Sequence, residues 1–208
     1  MNRYVTELIG TFFLVFTIGC AVLLRGVGEI PPIAIGAALM VMVYAGGHIS
    51  GAHYNPAVTL AVWMRGRCAA RDVAPYWISQ ILGAALATRA VLFLAGSATL
   101  EPLHPAVGPA LLAEFLFTFA LCYVVLNTAT AKGTAGNSFY GVAIGMTVMT
   151  GAFSVAAVSG AVFNPAVAIA ISMMRISPWP NLWIYLVAEL AAALAAAIVF
   201  KWANPEDR

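Results

Sequence analysis

Two triplets, Asn55-Pro56-Ala57 and Asn164-Pro165-Ala166, are the residues whose types and spacing could do chemistry in this chain. The chemistry is not bond making. Asn is a good helix N-cap and Pro is favoured at the first helical position, so each triplet starts a helix. The N-terminus of a helix carries unpaired N–H groups and about half a positive charge. Such an end repels cations, hydronium included, while the Asn amide offers N–H donors to a neutral oxygen. The stretches before the triplets, Gly51 to Tyr54 and Gly160 to Phe163, read as irregular backbone.

What surrounds the triplets is lipid. Of 208 residues, 62% are hydrophobic and 9% charged, against about 25% charged in a soluble domain. A mean hydropathy of +0.93 and uncharged runs such as Ile33 to Tyr44 make the surface itself apolar. A net charge of +2 without Lys/Arg clusters interleaved with aromatics excludes a nucleic-acid partner. Cys20, Cys68 and Cys122 are an odd set without CxxC spacing and read as small buried hydrophobes. His48 and His53 stand five apart, off the spacing of helical zinc pairs, so no metal site and no cofactor is expected. No nucleophile, base and orienting acid combine, and an enzyme is not expected.

Six apolar runs are long enough to cross a hydrocarbon core of about 30 Å. They lie near Tyr4 to Leu24, Pro32 to Gly47, Pro75 to Ala95, Gly108 to Thr130, Asn137 to Ala157 and Asn181 to Lys201. Arg3 followed by Thr17-Ile18-Gly19-Cys20 imitates a lipoprotein signal, but Glu7 interrupts the run and the segment recurs later in the chain. An even number of crossings puts both termini on one side. Arg3, Arg65, Arg67, Arg71, Lys132, Lys201 and Arg208 share that side, with Arg25 and Arg175 opposite, which predicts cytoplasmic termini in a cell inner membrane.

The chain is also a repeat. Ser50-Gly-Ala-His-Tyr-Asn-Pro-Ala-Val58 returns as Ser159-Gly-Ala-Val-Phe-Asn-Pro-Ala-Val167, seven of nine positions identical at an offset of 109. Glu7-Leu-Ile-Gly-Thr11 returns as Glu114-Phe-Leu-Phe-Thr118 at 107, and Gly83-Ala-Ala-Leu-Ala87 as Ala191-Ala-Ala-Leu-Ala195 at 108. One channel domain over residues 1–208, built of halves near 1–99 and 107–208, is expected. Three spans per half force the second half to enter from the opposite face, an inverted repeat with its site at the midplane. The stub helices after Pro56 and Pro165, about ten residues and roughly 15 Å each, reach halfway and meet there. Lipid cannot satisfy irregular backbone, so the carbonyls of Gly51, Ala52, His53, Gly160 and Val162 are expected to face a water-filled path. Glu7 and Glu114 read as structural partners for the loop N–H groups; a proton relay is the sharper alternative.

With these features together, the chain resembles the aquaporin and aquaglyceroporin family, the major intrinsic proteins. The resemblance rests on Gly47-His-Ile-Ser-Gly-Ala-His-Tyr-Asn-Pro-Ala-Val-Thr59, the second Asn164-Pro-Ala166, the paired glutamates and Tyr76-Trp-Ile-Ser-Gln-Ile-Leu-Gly-Ala84. It implies an all-α membrane protein of six tilted spans and two half-helices, one pore per subunit, a homotetramer, and passive flow of water or small uncharged solutes. It also implies an outer constriction of an aromatic residue, two variable positions and an arginine. Counted from the two Asn residues, these fall on Ile35, Ala152, Ala161 and Val167, with Gly151 or Phe153 replacing Ala152 if the count slips by one.

Val167 is the departure that matters, because the usual Arg supplies fixed charge and several donors. Its loss predicts a wider, mostly apolar gate. Ala168 and the short Ile176-Ser-Pro-Trp-Pro180 connection do not match dedicated glycerol channels, which resemble one another in an Asp after the Arg and a long insertion. Some bacterial family members lacking this Arg resemble broad facilitators of metalloid hydroxides such as arsenous acid. The expected function is passage of water with glycerol, urea or such hydroxides; the alternatives are a water-selective pore, an ion-coupled secondary transporter and a non-conducting scaffold. Arg89 and Glu189 come out at comparable depths, roughly 10 Å below the outer surface. Either they pair, or, as favoured here, Arg89 snorkels to the interface. Trp63, Trp77 and Trp202 read as interface anchors or packing.

Overall fold

The computed structural model describes residues 1–24, 30–98 and 100–207. Arg25 and Arg208 of the orientation argument therefore lie outside the described residues. The regular elements are α1 (Asn2–Leu23), α2 (Pro31–Ser50), α3 (Pro56–Met64), α4 (Ala70–Ala95), α5 (Val107–Val125), α6 (Tyr140–Ser159), α7 (Pro165–Met173) and α8 (Leu182–Ala203). A turn of π-helix, Leu126–Thr130, extends α5. Among the described residues, six helices are long and apolar enough to cross a membrane. The other two, α3 and α7, have nine residues each and reach about 14 Å at 1.5 Å per residue.

Three boundaries differ from the sequence expectation by three residues or more, each for a local reason. Helix α2 runs on through Gly46 and Gly47 to Ser50. These glycines are packing positions rather than breakers: a methyl on Gly46 would overlap the Tyr54 hydroxyl, and one on Gly47 would press on Tyr140. Helix α4 begins at Ala70, ahead of Pro75, with Asp72 in its first turn where a carboxylate suits the helix dipole. Helix α6 starts at Tyr140 rather than Asn137, because Asn137 Oδ1 accepts from the backbone N–H of Phe139 and Tyr140 at 3.1 and 2.9 Å. Of the three cysteines, Cys122 is buried as expected, whereas Cys20 and Cys68 are only half-buried.

The two quartets α1–α4 and α5–α8 repeat the same order of elements in an inverted repeat. Within each, the first helix packs on the last, α1 on α4 and α5 on α8, while α2 packs on α6 across the molecule. Gly36 and Gly145 sit where α2 and α6 touch backbone to backbone; a Cβ on either would strike the other's carbonyl oxygen. The half-helices are exchanged: α3 packs on α8 and α7 on α4, so each stub is also cradled by the closing helix of the other quartet. Large apolar side chains such as Phe93, Leu112 and Ile198 face outward, as a lipid-facing surface requires.

Basic residues gather at one end. Arg3 Nη1 pairs with Asp72 Oδ2 at 2.8 Å, and Tyr4 Oη donates to Asp72 Oδ1 at 2.7 Å, tying α1 to α4. Arg65, just past α3, is buried over the Phe200 ring at 4.7 Å and pairs with Asp207 Oδ1 at 2.6 Å. Asp207 Oδ2 also accepts from the Lys132 backbone N–H at 2.7 Å, so the C-terminal segment latches α3 to the loop after α5. This N–H, followed by the Arg65 guanidinium, holds the Asp207 carboxyl below the usual carboxylate range. A depressed folded-state value contributes stability that is fully present above the unfolded value of about 3.9 and is lost as pH falls through the folded one. Thermal midpoints measured in detergent from about pH 7 down to about pH 3 should fall on the acid side. Asp207→Asn should lower the midpoint near neutrality and shrink that acid-side loss.

Candidate functional site

The site is built upward from two carboxylates. Glu7 on α1 is fully buried, and Glu7 Oε1 accepts from Ser50 Oγ at 2.7 Å and the His53 N–H at 2.9 Å. Glu7 Oε2 accepts from the Tyr54 N–H at 2.7 Å and from Gln80 Nε2 at 2.8 Å. Glu114 on α5 repeats this: Oε1 takes Ser159 Oγ at 2.6 Å and the Val162 N–H at 3.0 Å, and Oε2 takes the Phe163 N–H at 2.7 Å. The loop N–H groups that lipid could not satisfy thus have charged acceptors, the stronger kind of hydrogen bond.

Those bonds hold an unusual backbone. Gly51, Ala52 and Tyr54 have φ of 88°, 50° and 49°, and Gly160, Ala161 and Phe163 have 93°, 54° and 51°. Non-glycine residues in this left-handed region cost about 1 kcal/mol or more each. The Tyr76 hydroxyl adds a bond to Ser50 O at 2.7 Å and the Tyr185 hydroxyl one to Ser159 O at 2.9 Å.

The loops lead into the two Asn residues, which meet head to head. Asn55 Oδ1 accepts from the Ala57 N–H at 2.8 Å, and Asn164 Oδ1 from the Ala166 N–H at 3.0 Å, so both cap their half-helices as expected. Each amide nitrogen then reaches across the repeat: Asn55 Nδ2 donates to Phe163 O at 2.8 Å and Asn164 Nδ2 to Tyr54 O at 2.9 Å. One hydrogen of each amide is used in this exchange. The second remains available, and both residues border a cavity of about 550 Å³.

That cavity brings together Ile35, Ala152, Ala161 and Val167, the four residues counted from the sequence. Ala152 is on its wall, whereas Gly151 is covered by Phe117 and Phe163 and Phe153 points outward. Ala52, His53, Gly160 and Val162 border it too. Gly51 does not; it lines a second hollow of about 680 Å³ at the basic end, among Arg3, Arg67, Arg71 and Lys132. His53 and Val125 border both hollows. No Lys or Arg lines the 550 Å³ cavity among the described residues, and Glu101 is the charged group on its wall. Pro56, Ala57, Pro165 and Ala166 are buried behind it, holding the helix starts.

His53 was expected to contribute backbone, but its ring matters as well. The Thr59 hydroxyl lies 3.1 Å from His53 Nδ1 and 3.0 Å from Asn55 O and accepts from Gln80 Nε2 at 3.0 Å, which holds the His53 ring at the start of α3. Gln80, Tyr76, Tyr185, Ser50 and Ser159 were not singled out as site residues. The signal was present in the repeat: Tyr76 and Tyr185, like Ser50 and Ser159, stand 109 apart. Arg89 and Glu189 do not form an ion pair. Arg89 is exposed and shares with Arg175 and Trp179 a hollow of about 710 Å³ at the end opposite the basic one. Glu189 is fully buried on α8, where its Oε1 accepts from the Asn164 N–H at 2.9 Å. Equal depth did not mean proximity, because the two side chains leave their helices toward different surroundings.

The profile of the family described as "Major intrinsic protein" matches residues 1–200. The chain belongs to this family, that of the aquaporins. Aquaporin NIP1-3 of Oryza sativa subsp. japonica is 38% identical over 221 residues, covering 100% of this chain and 75% of that protein. Nodulin-26 of Glycine max is 35% identical over 219 residues, covering 100% and 80%. In fold, the chain is similar to the aquaglyceroporin from Plasmodium falciparum, with a TM-score of 0.78 at 18% identity over 98% of this chain and 94% of that one. The protein is a channel of the aquaporin type and not an enzyme.

Glu7→Ala would strip the acceptor from the His53 and Tyr54 N–H groups and the Ser50 hydroxyl. At about 1–3 kcal/mol per unsatisfied buried group, the loss should be about 3 kcal/mol or more. A fall in thermal midpoint in detergent, with Glu7→Gln intermediate, is the expected readout.

Proposed function

We propose that the channel is a broad, passive conduit for water and larger uncharged solutes such as glycerol, urea and metalloid hydroxides of the arsenous acid type. The observation that carries this reading is the wall of the 550 Å³ cavity: Ile35, Ala152, Ala161 and Val167 offer apolar surface and no guanidinium. These four are the selectivity filter in this reading, and Asn55 and Asn164 are its polar contacts.

Selection then follows from three features. The spare N–H of each Asn amide donates to a passing oxygen, and the loop carbonyls accept from its hydroxyl or amine hydrogens. The N-termini of α3 and α7 both point at this contact, and two ends of about half a positive charge each disfavour cations. With no Arg among the described residues on the cavity wall, polar surface area sets less of the barrier and solute width sets more. Glu7 and Glu114, the groups an ion-coupled transporter would need, border neither hollow, which supports passive flow.

The proposal includes a homotetramer with one pore per subunit, and an inner-membrane location with both termini cytoplasmic, supported by the cluster of basic residues at one end.

The test is a stopped-flow panel of water, glycerol, urea and arsenous acid on proteoliposomes, with Val167→Arg alongside. Wild type should pass all four, and the Arg variant should lose glycerol, urea and arsenous acid at least about tenfold more than water, the equivalent of about 1.4 kcal/mol of added discrimination. Equal losses, or a wild type that passes water alone, would overturn the reading.

A further inference from the structure

We infer that Glu189 is held as a neutral carboxylic acid that donates its proton from Oε2 to the Glu114 carboxylate, and that this shared proton positions the second pore loop as the Gln80 amide positions the first.

The inference starts from the register of the repeat. Gln80 and Glu189 stand 109 apart, the same offset as Asn55 with Asn164 and Tyr76 with Tyr185. In the first half, Glu7 Oε2 takes two donors, the Tyr54 N–H and Gln80 Nε2. In the second half, Glu114 Oε2 takes the Phe163 N–H, and the donor corresponding to Gln80 Nε2 is replaced by a carboxyl oxygen. Glu189 lies within hydrogen-bonding reach of Glu114. Its Oε1 is occupied by the Asn164 N–H, while its Oε2 is buried with no donor pointing at it. A hydrogen on Oε2 is what satisfies both this oxygen and the open site on Glu114.

Charge demands the same proton. Both carboxyls are fully buried, and two ionised carboxylates in contact inside a protein repel strongly unless a cation joins them. The titratable groups around Glu189 are Glu114 and Cys122 from α5 and Tyr185 from its own helix, all acids. The salt bridges among the described residues, Arg3–Asp72 and Arg65–Asp207, lie elsewhere. The N-terminus of α7 offers about half a charge, enough for one carboxylate and not for two. One proton between the pair closes both the charge and the hydrogen-bond count, since Glu114 stays an anion for its three loop donors and Glu189 becomes the donor.

Glu189 is therefore a positioning residue: through the Asn164 N–H and through Glu114 it fixes the loop whose Asn164 amide faces the cavity. It does not border the cavity itself.

The decisive experiment combines infrared spectroscopy with permeability. Of the eight acidic residues in the chain, Glu7 accepts from an amide donor and Asp72 and Asp207 pair with arginines, and subtracting the Glu189→Gln spectrum isolates the Glu189 carboxyl from all of them. The difference spectrum of wild type against Glu189→Gln in neutral detergent solution or lipid should contain the carbonyl stretch of one protonated carboxylic acid, shifted by deuterium exchange and absent from the variant. Glu189→Gln, with an amide donor like Gln80, should keep water permeability within about twofold of wild type, and Glu189→Ala should lower it about tenfold, the population factor of one unsatisfied buried group. Absence of the protonated band from wild type overturns the shared proton. A Gln variant as impaired as the Ala variant overturns the donor role, and an Ala variant that conducts like wild type overturns the positioning role. Should Glu189→Ala fail to fold, the infrared comparison and the permeability of Glu189→Gln still decide.

Discussion

The hydrocarbon core offers nothing to an unpaired peptide group, and the architecture follows from that constraint. A continuous helix meets it without help. The two crossings that break at Gly51 and Gly160 do not, and each break is stabilised only because a buried carboxylate from a neighbouring span supplies charged acceptors for the freed N–H groups. With the N–H groups turned toward Glu7 and Glu114, the left-handed residues turn carbonyls the other way. The half-helices then start at mid-depth with their Asn caps in register.

Much of this was legible because capping and repetition are local in sequence. Asn-Pro starts a helix wherever it stands, and the recurrence of nine positions, seven of them identical, is itself the mark of two related halves. Glu7 and Glu114 were assigned to the loop N–H groups on the same ground; each accepts from two of them. The counts to Ile35, Ala152, Ala161 and Val167 place all four on one cavity, since a helix keeps its register over the intervening turns.

What escaped the sequence depended on contacts between distant helices. Gly46 and Gly47 look like breakers until Tyr54 and Tyr140 are seen packed against them. His53 was read for its backbone, because the polar cluster that holds its ring needs Thr59, Asn55 and Gln80 in one place. Arg89 and Glu189 were judged by depth, whereas the direction in which a side chain leaves its helix decides its partner. The halves are also less alike than their motifs. The first closes its carboxylate with an amide and the second with another carboxyl, so homologous positions solve one electrostatic problem with different chemistry.

The exchange of Asn amides has a consequence for biogenesis. Asn55 finds its partner in Phe163 O, and Asn164 finds its own in Tyr54 O. A nascent chain that has delivered only its first three crossings holds a capped stub whose amide has no mate, and the groove on α4 that receives α7 is empty. The conduit is therefore completed late, by docking of the second stub, and during synthesis the first stub must be sheltered from lipid by water, by the insertion machinery, or by waiting at the membrane edge until its counterpart arrives.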